Sequence, residues 1–359
     1  MSASLEIPCQ LGPYRLLAAL RQGEVSAVYR ATDGAGREVA VKVLSPRALD
    51  NPAAVARFHR AAREAAGLAH PNVLRILETG QDGDRLYLAT ELFTGVSLEQ
   101  VLRERRPKVA ETLAVLKAVC RGLQHAHERG LLHLHLSPRC ILVSPDLATV
   151  KIADFGPSEI EVLSGQTGNL ATGALTLGAF HYLAPEQAAA KEESVDRRAD
   201  LYAAGVIFHQ MLTGRMPGGR FTLPSHLDPT LPAEADVPVL KCLARQPEAR
   251  YASAAELEGD LGRLEEALRL RPLADLRGLQ QRLGRPQGGS RRMLALAIAA
   301  LVLALLLLAG FWLFGRKHGP PRGALGAAAP VWSVAKAAAD ARHLRWNEAP
   351  RAERDRRPG

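Results

Sequence analysis

The stretch that most constrains this chain is residues 293–314, an unbroken run of 22 uncharged residues dominated by Leu and Ala. A helix rises 1.5 Å per residue, so the run spans roughly 33 Å, enough to cross a hydrocarbon core of about 30 Å. A buried core helix is the competing reading, and such a length without one polar side chain argues against it. The run is therefore read as a single transmembrane helix. Arg291 and Arg292 precede it, with Arg277, Arg282 and Arg285 close behind, whereas Arg316, Lys317 and Arg322 form a weaker cluster on the far side. That asymmetry puts the N-terminal part on the cytoplasmic face of the cell membrane.

The formal charge of +9 is unevenly spread. Residues 267–292 carry seven Arg against one Asp, and residues 315–359 carry ten Arg or Lys against four acids. Each flank is thus near +6, which leaves residues 1–266 near −3. A nucleic-acid-binding protein needs its basic patch on the folded domain, so no nucleic-acid partner is expected. Residues 267–292 read as an Arg-rich juxtamembrane linker that suits contact with anionic headgroups. Residues 315–359, rich in Ala, Pro and Arg, read as a short, poorly folded tail. Cys9, Cys120, Cys140 and Cys242 are scattered without a C-x-x-C pair, which points to a reducing compartment and away from a disulfide framework or zinc site. Residues 1–10 lack a charged segment followed by an apolar one, so no cleavable signal is expected in the leader, residues 1–13.

Between leader and linker the patterning alternates. Residues 14–32 read as two strands around a turn at Gly23, and Val39-Ala40-Val41-Lys42 as a third strand. A helix over residues 55–68 ends before His70-Pro71-Asn72, as Pro dictates. Residues 85–93 are β-rich, and residues 109–129 repeat apolar side chains at helical spacing. Residues 196–212 are apolar nearly all round, as a core helix is. His125, His127, His133 and His135 invite a metal-site reading, but positions two apart do not share a helix face and no carboxylate pattern accompanies them. No metal is expected there.

A series of spaced motifs makes residues 14–266 resemble the protein-kinase family, and bacterial Ser/Thr kinases in particular. Of the family's G-x-G-x-x-G-x-V loop, Gly23 and Val28 remain, while Arg21 and Ser26 replace the other glycines. Val39-Ala40-Val41-Lys42 matches V-A-I-K, whose Lys holds the α- and β-phosphates. Arg57-Phe58-His59-Arg60-Ala61-Ala62 is similar to R-F-x-R-E-A, with Ala61 where the Glu partner of that Lys belongs and Glu64 one turn on. Asp154-Phe155-Gly156 and Ala184-Pro185-Glu186 are complete D-F-G and A-P-E motifs, and Arg250 matches the partner of the A-P-E Glu. The catalytic loop H-R-D-L-x-x-x-N keeps its frame in the segment from His133 to Val143 but not its chemistry. His135 stands for the base Asp, Ser137 for the phosphate-assisting Lys and Cys140 for the metal-binding Asn. Ala179 replaces the activation-segment Thr that touches the first two, and Leu134 replaces the Arg that receives an activation-loop phosphate.

The resemblance implies an α+β, two-lobed fold: a small β-rich lobe, a large helical lobe, and then the transmembrane helix. It implies a nucleotide slot in which the backbone of Glu91 and Phe93 meets adenine and Val28, Ala40 and Leu142 sandwich the ring. Gly23, Lys42 and Asp154 would then face the phosphates, with Asp154 the surviving magnesium ligand. On this reading ATP and magnesium bind weakly, and the chain is a pseudokinase that regulates or scaffolds a signalling partner. Two rivals follow: an active Ser/Thr kinase with an atypical loop, and a membrane interaction module that uses no nucleotide.

Overall fold

The computed structural model describes residues 5–23, 26–46, 52–155, 179–188, 195–218 and 221–283. The 293–314 run, the tail, Gly156, Gly178 and most of the segment between the D-F-G and A-P-E motifs lie outside the described residues.

The small lobe is a six-stranded antiparallel sheet in the order β1-β2-β3-β4-β6-β5, from β1 (Cys9–Leu11), β2 (Tyr14–Gln22), β3 (Ser26–Thr32), β4 (Glu38–Leu44), β5 (Ile76–Asp82) and β6 (Arg85–Glu91). Strand β1 pairs with β2 inside the segment read from sequence as a leader. It is held there by the burial of Leu11 and by the Leu5 amide, which donates to the Tyr29 hydroxyl at 2.6 Å.

Alternation along these strands separates two faces. Leu16, Ala27, Tyr29, Ala31, Val39, Val41, Val43, Tyr87 and Ala89 share one buried core. The register Arg21↔Val28, Val28↔Lys42, Lys42↔Leu88 and Ala40↔Thr90 puts the other set on the opposite face. Core and cleft therefore come from one period-two pattern. Helix α1 (Pro52–Ala66) begins with Pro, whose fixed φ suits the first turn, and buries Phe58, Ala62 and Ala65 at helical spacing.

A second sheet, β7-β8-β9 (Val96–Ser97, Ile141–Val143, Val150–Ile152), carries the loops below the cleft. Helix α2 (Leu98–Glu104) follows β7, and α3 (Val109–His127) opens with the Glu111 carboxylate accepting from the Lys108 amide at 2.7 Å. After the single-turn helix α4 (Pro185–Ala188), α5 (Arg198–Thr213) runs through the middle of the large lobe with thirteen buried residues. Gly214 ends α5 at φ 70°, where glycine carries no steric penalty, and its amide donates to the Gln210 carbonyl. Gly205 is needed for packing: a Cβ there would lie 2.3 Å from Cβ of Cys242 on α7 (Asp236–Cys242), past the short α6 (Pro224–Leu227). Helix α8 runs from Ala254 to Leu283; its part up to Glu266 belongs to the compact unit just described.

Candidate active site

The cleft is built from the second face of the small-lobe sheet, α1 and the loops around β8 and β9. Lys42 on β4 donates from Nζ to Oδ1 of Asp154 at 2.8 Å. Asp154 sits just after β9 with φ 63°, a left-handed conformation that costs a non-glycine residue of the order of 1–3 kcal/mol and that surrounding contacts must maintain. Phe58 and Ala62 of α1, Leu44, Leu88 and Phe155 enclose a small cavity that Lys42 and Asp154 also line. Ala61, at the position of the family's Glu, is half-buried, and Glu64 is exposed. Glu64 therefore does not take over from the missing carboxylate by a simple one-turn shift.

Burial raises the Asp154 carboxyl pKa, but the charges of Lys42 and then Arg21 outweigh it and hold the group well below the ordinary carboxylate range. Arg21 is thus a second cation at this carboxylate. Its strand position explains why: Arg21 and Lys42 flank Val28 in one row across β2, β3 and β4. Adjacent strands are about 4.8 Å apart, so the two backbones are separated by roughly 10 Å, within reach of both long side chains. Gly23 closes the turn above, its amide donating to the Ser26 carbonyl at 2.9 Å.

Of the catalytic-loop positions, Cys140 lies within the field of the same carboxylate. Ser137 and Cys140 are buried, with Oγ and Sγ 3.7 Å apart, and the Cys140 thiol also reaches the His135 carbonyl at 3.7 Å. Burial, then the Asp154 charge, pushes the Cys140 thiol up to about 11, so it keeps its proton at neutral pH. His135 is half-buried, its amide donating to the His133 carbonyl at 2.8 Å.

Magnesium demands hard oxygen donors in near-octahedral array. Of the two metal-ligand positions, Asp154 keeps a hard carboxylate oxygen donor, whereas Cys140 carries a protonated thiol that does not meet the demand. Val28, Ala40 and Leu142 come from β3, β4 and β8, with Ala40 beside Thr90 by register. Glu91 keeps its side chain out of the slot, on Lys151 Nζ at 2.8 Å and the Arg75 amide at 2.8 Å. Its carbonyl accepts from the Thr90 hydroxyl at 3.2 Å. Phe93 is half-buried next to Gly95, where a Cβ would collide with the Val143 carbonyl at 2.2 Å, so the chain passes close over β8.

Sequence reasoning missed the clamp beneath the loop. Asp200, buried on α5, accepts from the His133 amide at 2.9 Å, the Leu134 amide at 2.7 Å and His127 Nε2 at 2.8 Å. The loop backbone it grips includes Leu134 at φ 62°, whose carbonyl also accepts from Gln187 Nε2 at 2.8 Å. The His133 ring donates from Nε2 to the Ala153 carbonyl at 2.9 Å and meets Phe155 edge-on, joining this loop to the D-F-G segment. A lone carboxylate in an otherwise apolar core helix was the available signal, since a buried charge must be paired. The pair matched from the motifs is present: Arg250 grips Glu186 through two bonds of 2.6 and 2.7 Å, with the Arg250 side chain buried and that of Glu186 nearly so.

The model of the protein kinase domain matches residues 14–225. Serine/threonine-protein kinase PknB of Mycobacterium tuberculosis is 34% identical over 274 residues, covering 70% of this chain and 42% of that protein. Serine/threonine-protein kinase PrkC of Bacillus subtilis is 30% identical over 275 residues, covering 72% and 41%. The chain thus spans about two fifths of the length of these curated relatives. A crystal structure of the M. tuberculosis PknI kinase domain superposes with a TM-score of 0.59 at 28% identity, covering 73% of this chain and all of that one. The sheet, cleft and clamp described above are accordingly those of a two-lobed kinase domain, and the chain belongs to the protein kinase family, alongside bacterial Ser/Thr kinases.

Proposed function

We propose that this chain is a membrane-anchored pseudokinase that binds nucleotide weakly and serves as a regulator or scaffold for a signalling protein. Phosphoryl transfer is almost entirely positioning and charge neutralisation, so an active site lives or dies by the groups facing the phosphates. The observation that carries the reading is the Ser137–Cys140 contact beside Asp154. A buried hydroxyl and a protonated thiol supply neither the cation nor the metal ligand that transfer needs. His135 brings no negative charge to orient a substrate hydroxyl, and a protonated imidazole would repel a metal ion. The 293–314 run supplies the anchor, with the kinase-like domain on the cytoplasmic side.

A second reading, an active Ser/Thr kinase with an atypical loop, is favoured by the intact Lys42–Asp154 pair and by the names of the relatives. Radiolabelled phosphate transfer by the purified chain to a generic basic protein separates the two. The pseudokinase reading expects no transfer above an Asp154→Asn control; transfer that this variant abolishes would establish the second reading instead. Anchoring is checked separately, by retention in the membrane fraction through high salt and carbonate. Recovery of the full chain in the soluble fraction would reject it.

A further inference from the structure

The cleft holds a substitution that loss of catalysis does not explain. Removing a base or a metal ligand ends phosphoryl transfer without any need to add a cation, yet Arg21 stands where the family's loop has its first glycine. By register it lies in one row with Val28 and Lys42, on the cleft face of the sheet. Its charge acts on both the Asp154 carboxyl and the Cys140 thiol, the positions of the two metal ligands.

We propose that the cleft binds a nucleoside polyphosphate without a divalent cation, with Arg21 and Lys42 neutralising the phosphates and Asp154, bonded to Lys42 in the free protein, giving way to them. This rests on reading the cleft as a nucleotide site that has lost transfer chemistry, and it assigns the charge balance of that site. In a metal-dependent cleft, the two carboxyl- or amide-bearing ligands and the ion form one unit, and the Lys is an accessory. Here the ligand set is reduced to one carboxylate bonded to Lys42 at 2.8 Å, while the row position of Arg21 adds the second positive charge that the ion would have brought. Guanidinium matches phosphate oxygens with paired donors in a fixed plane, which an ammonium cannot do. No proton moves and no bond breaks: the device is for occupancy, and a bound nucleotide would brace the two lobes against each other.

Metal-free binding inverts the usual consequence of losing the D-F-G carboxylate. Where Asp154 recruits a metal, Asp154→Asn weakens nucleotide binding. Where Asp154 competes with the phosphates, the same change removes a repelling charge and frees Lys42. The test is ATP binding by the purified full-length chain, in excess EDTA and again in excess magnesium, with adenosine as the phosphate-free control. The expected result is an ATP affinity in EDTA within about threefold of that in magnesium. Arg21→Gly should lower ATP affinity about tenfold, as expected for one charge-assisted contact, and leave adenosine affinity unchanged. Asp154→Asn should leave ATP affinity the same or higher. An increase of tenfold or more with magnesium, loss of ATP binding in Asp154→Asn, or no ATP binding under any condition would overturn the proposal. Phosphate transfer by the unmodified chain would instead overturn the reading beneath it. Equal adenosine affinity across variants reports that each remains folded.

Discussion

Two regions of the large lobe, joined by a few residues, have been treated in opposite ways. Below the cleft, Asp200 keeps three hydrogen bonds and Arg250 keeps both bonds to Glu186, with Asp200 and Arg250 buried and the Glu186 side chain 9% exposed. Above them, His135, Ser137 and Cys140 carry none of the charges that phosphoryl transfer requires. The backbone around those side chains is held in left-handed form at Leu134 and Asp154. The lesson is that geometry and chemistry are separable here. The clamp is part of the fold's stability and cannot be dropped, whereas the side chains at the three catalytic-loop positions can change without unfolding anything.

If that separation is right, breaking the lower region should cost far more than altering the upper one. The largest effect is expected at the ion pair. Arg250→Ala leaves the Glu186 carboxylate buried without its partner and should destabilise the domain by about 3–5 kcal/mol, read from denaturant unfolding. Asp200→Asn keeps the volume but leaves at least one buried amide poorly satisfied, and about 1–3 kcal/mol is expected. By contrast Ser137→Ala and His135→Ala should each change stability by less than about 1 kcal/mol. A cost at Ser137 equal to that at Asp200 would erase the distinction between the two regions.

Acidity sharpens the comparison through His133 and His209, whose buried rings are held neutral because desolvation lowers their pKa values. Unfolded histidine titrates near 6.5, so between the folded and unfolded values the unfolded chain binds more protons. Their contribution to stability is therefore complete above about pH 6.5 and declines as pH falls below it. Asp200, whose carboxyl is held low by His127 against the opposing effect of burial, adds a second loss only below about pH 4. Thermal unfolding scanned from pH 8 to pH 3 should show both steps. A melting temperature flat from pH 7 to pH 5 would contradict the burial of neutral His133.

The smallest effect concerns stored strain. Leu134→Gly relieves a left-handed backbone but adds freedom to the unfolded chain, so the two terms should nearly cancel, within about 1 kcal/mol. A large destabilisation would mean that the Leu134 side chain, not its backbone, is what the fold needs.

The two-lobed fold was legible because it is written in spaced motifs whose residues mostly serve packing: the Val39–Lys42 strand, the D-F-G and A-P-E motifs, and Arg250. The Lys42–Asp154 pair could be matched from the same frame, though 112 residues separate its members. What could not be read was anything that depends on distances across the cleft. Arg21 looks in sequence like a lost glycine; only the register with Val28 and Lys42 gives it a direction. Ala62 of the helix lines the cavity beside Lys42, a matter of helix rotation that spacing alone leaves open. Asp200 could be placed on the buried helix, but its three partners, up to 73 residues away, could not be read.

The most direct test of the central claim is to rebuild the upper region on the retained lower one and follow radiolabelled phosphate transfer. Groups that act as a unit are strongly non-additive, so His135→Asp alone should give no transfer. Adding Ser137→Lys and Cys140→Asn restores the base, the cation and the second metal ligand together, and Ala61→Glu then gives Lys42 its carboxylate partner. The account predicts no transfer by the unmodified chain and transfer only in the combined variant, because the Asp200 clamp still holds the loop in register. Robust transfer by the unmodified chain, abolished by Asp154→Asn, would contradict it.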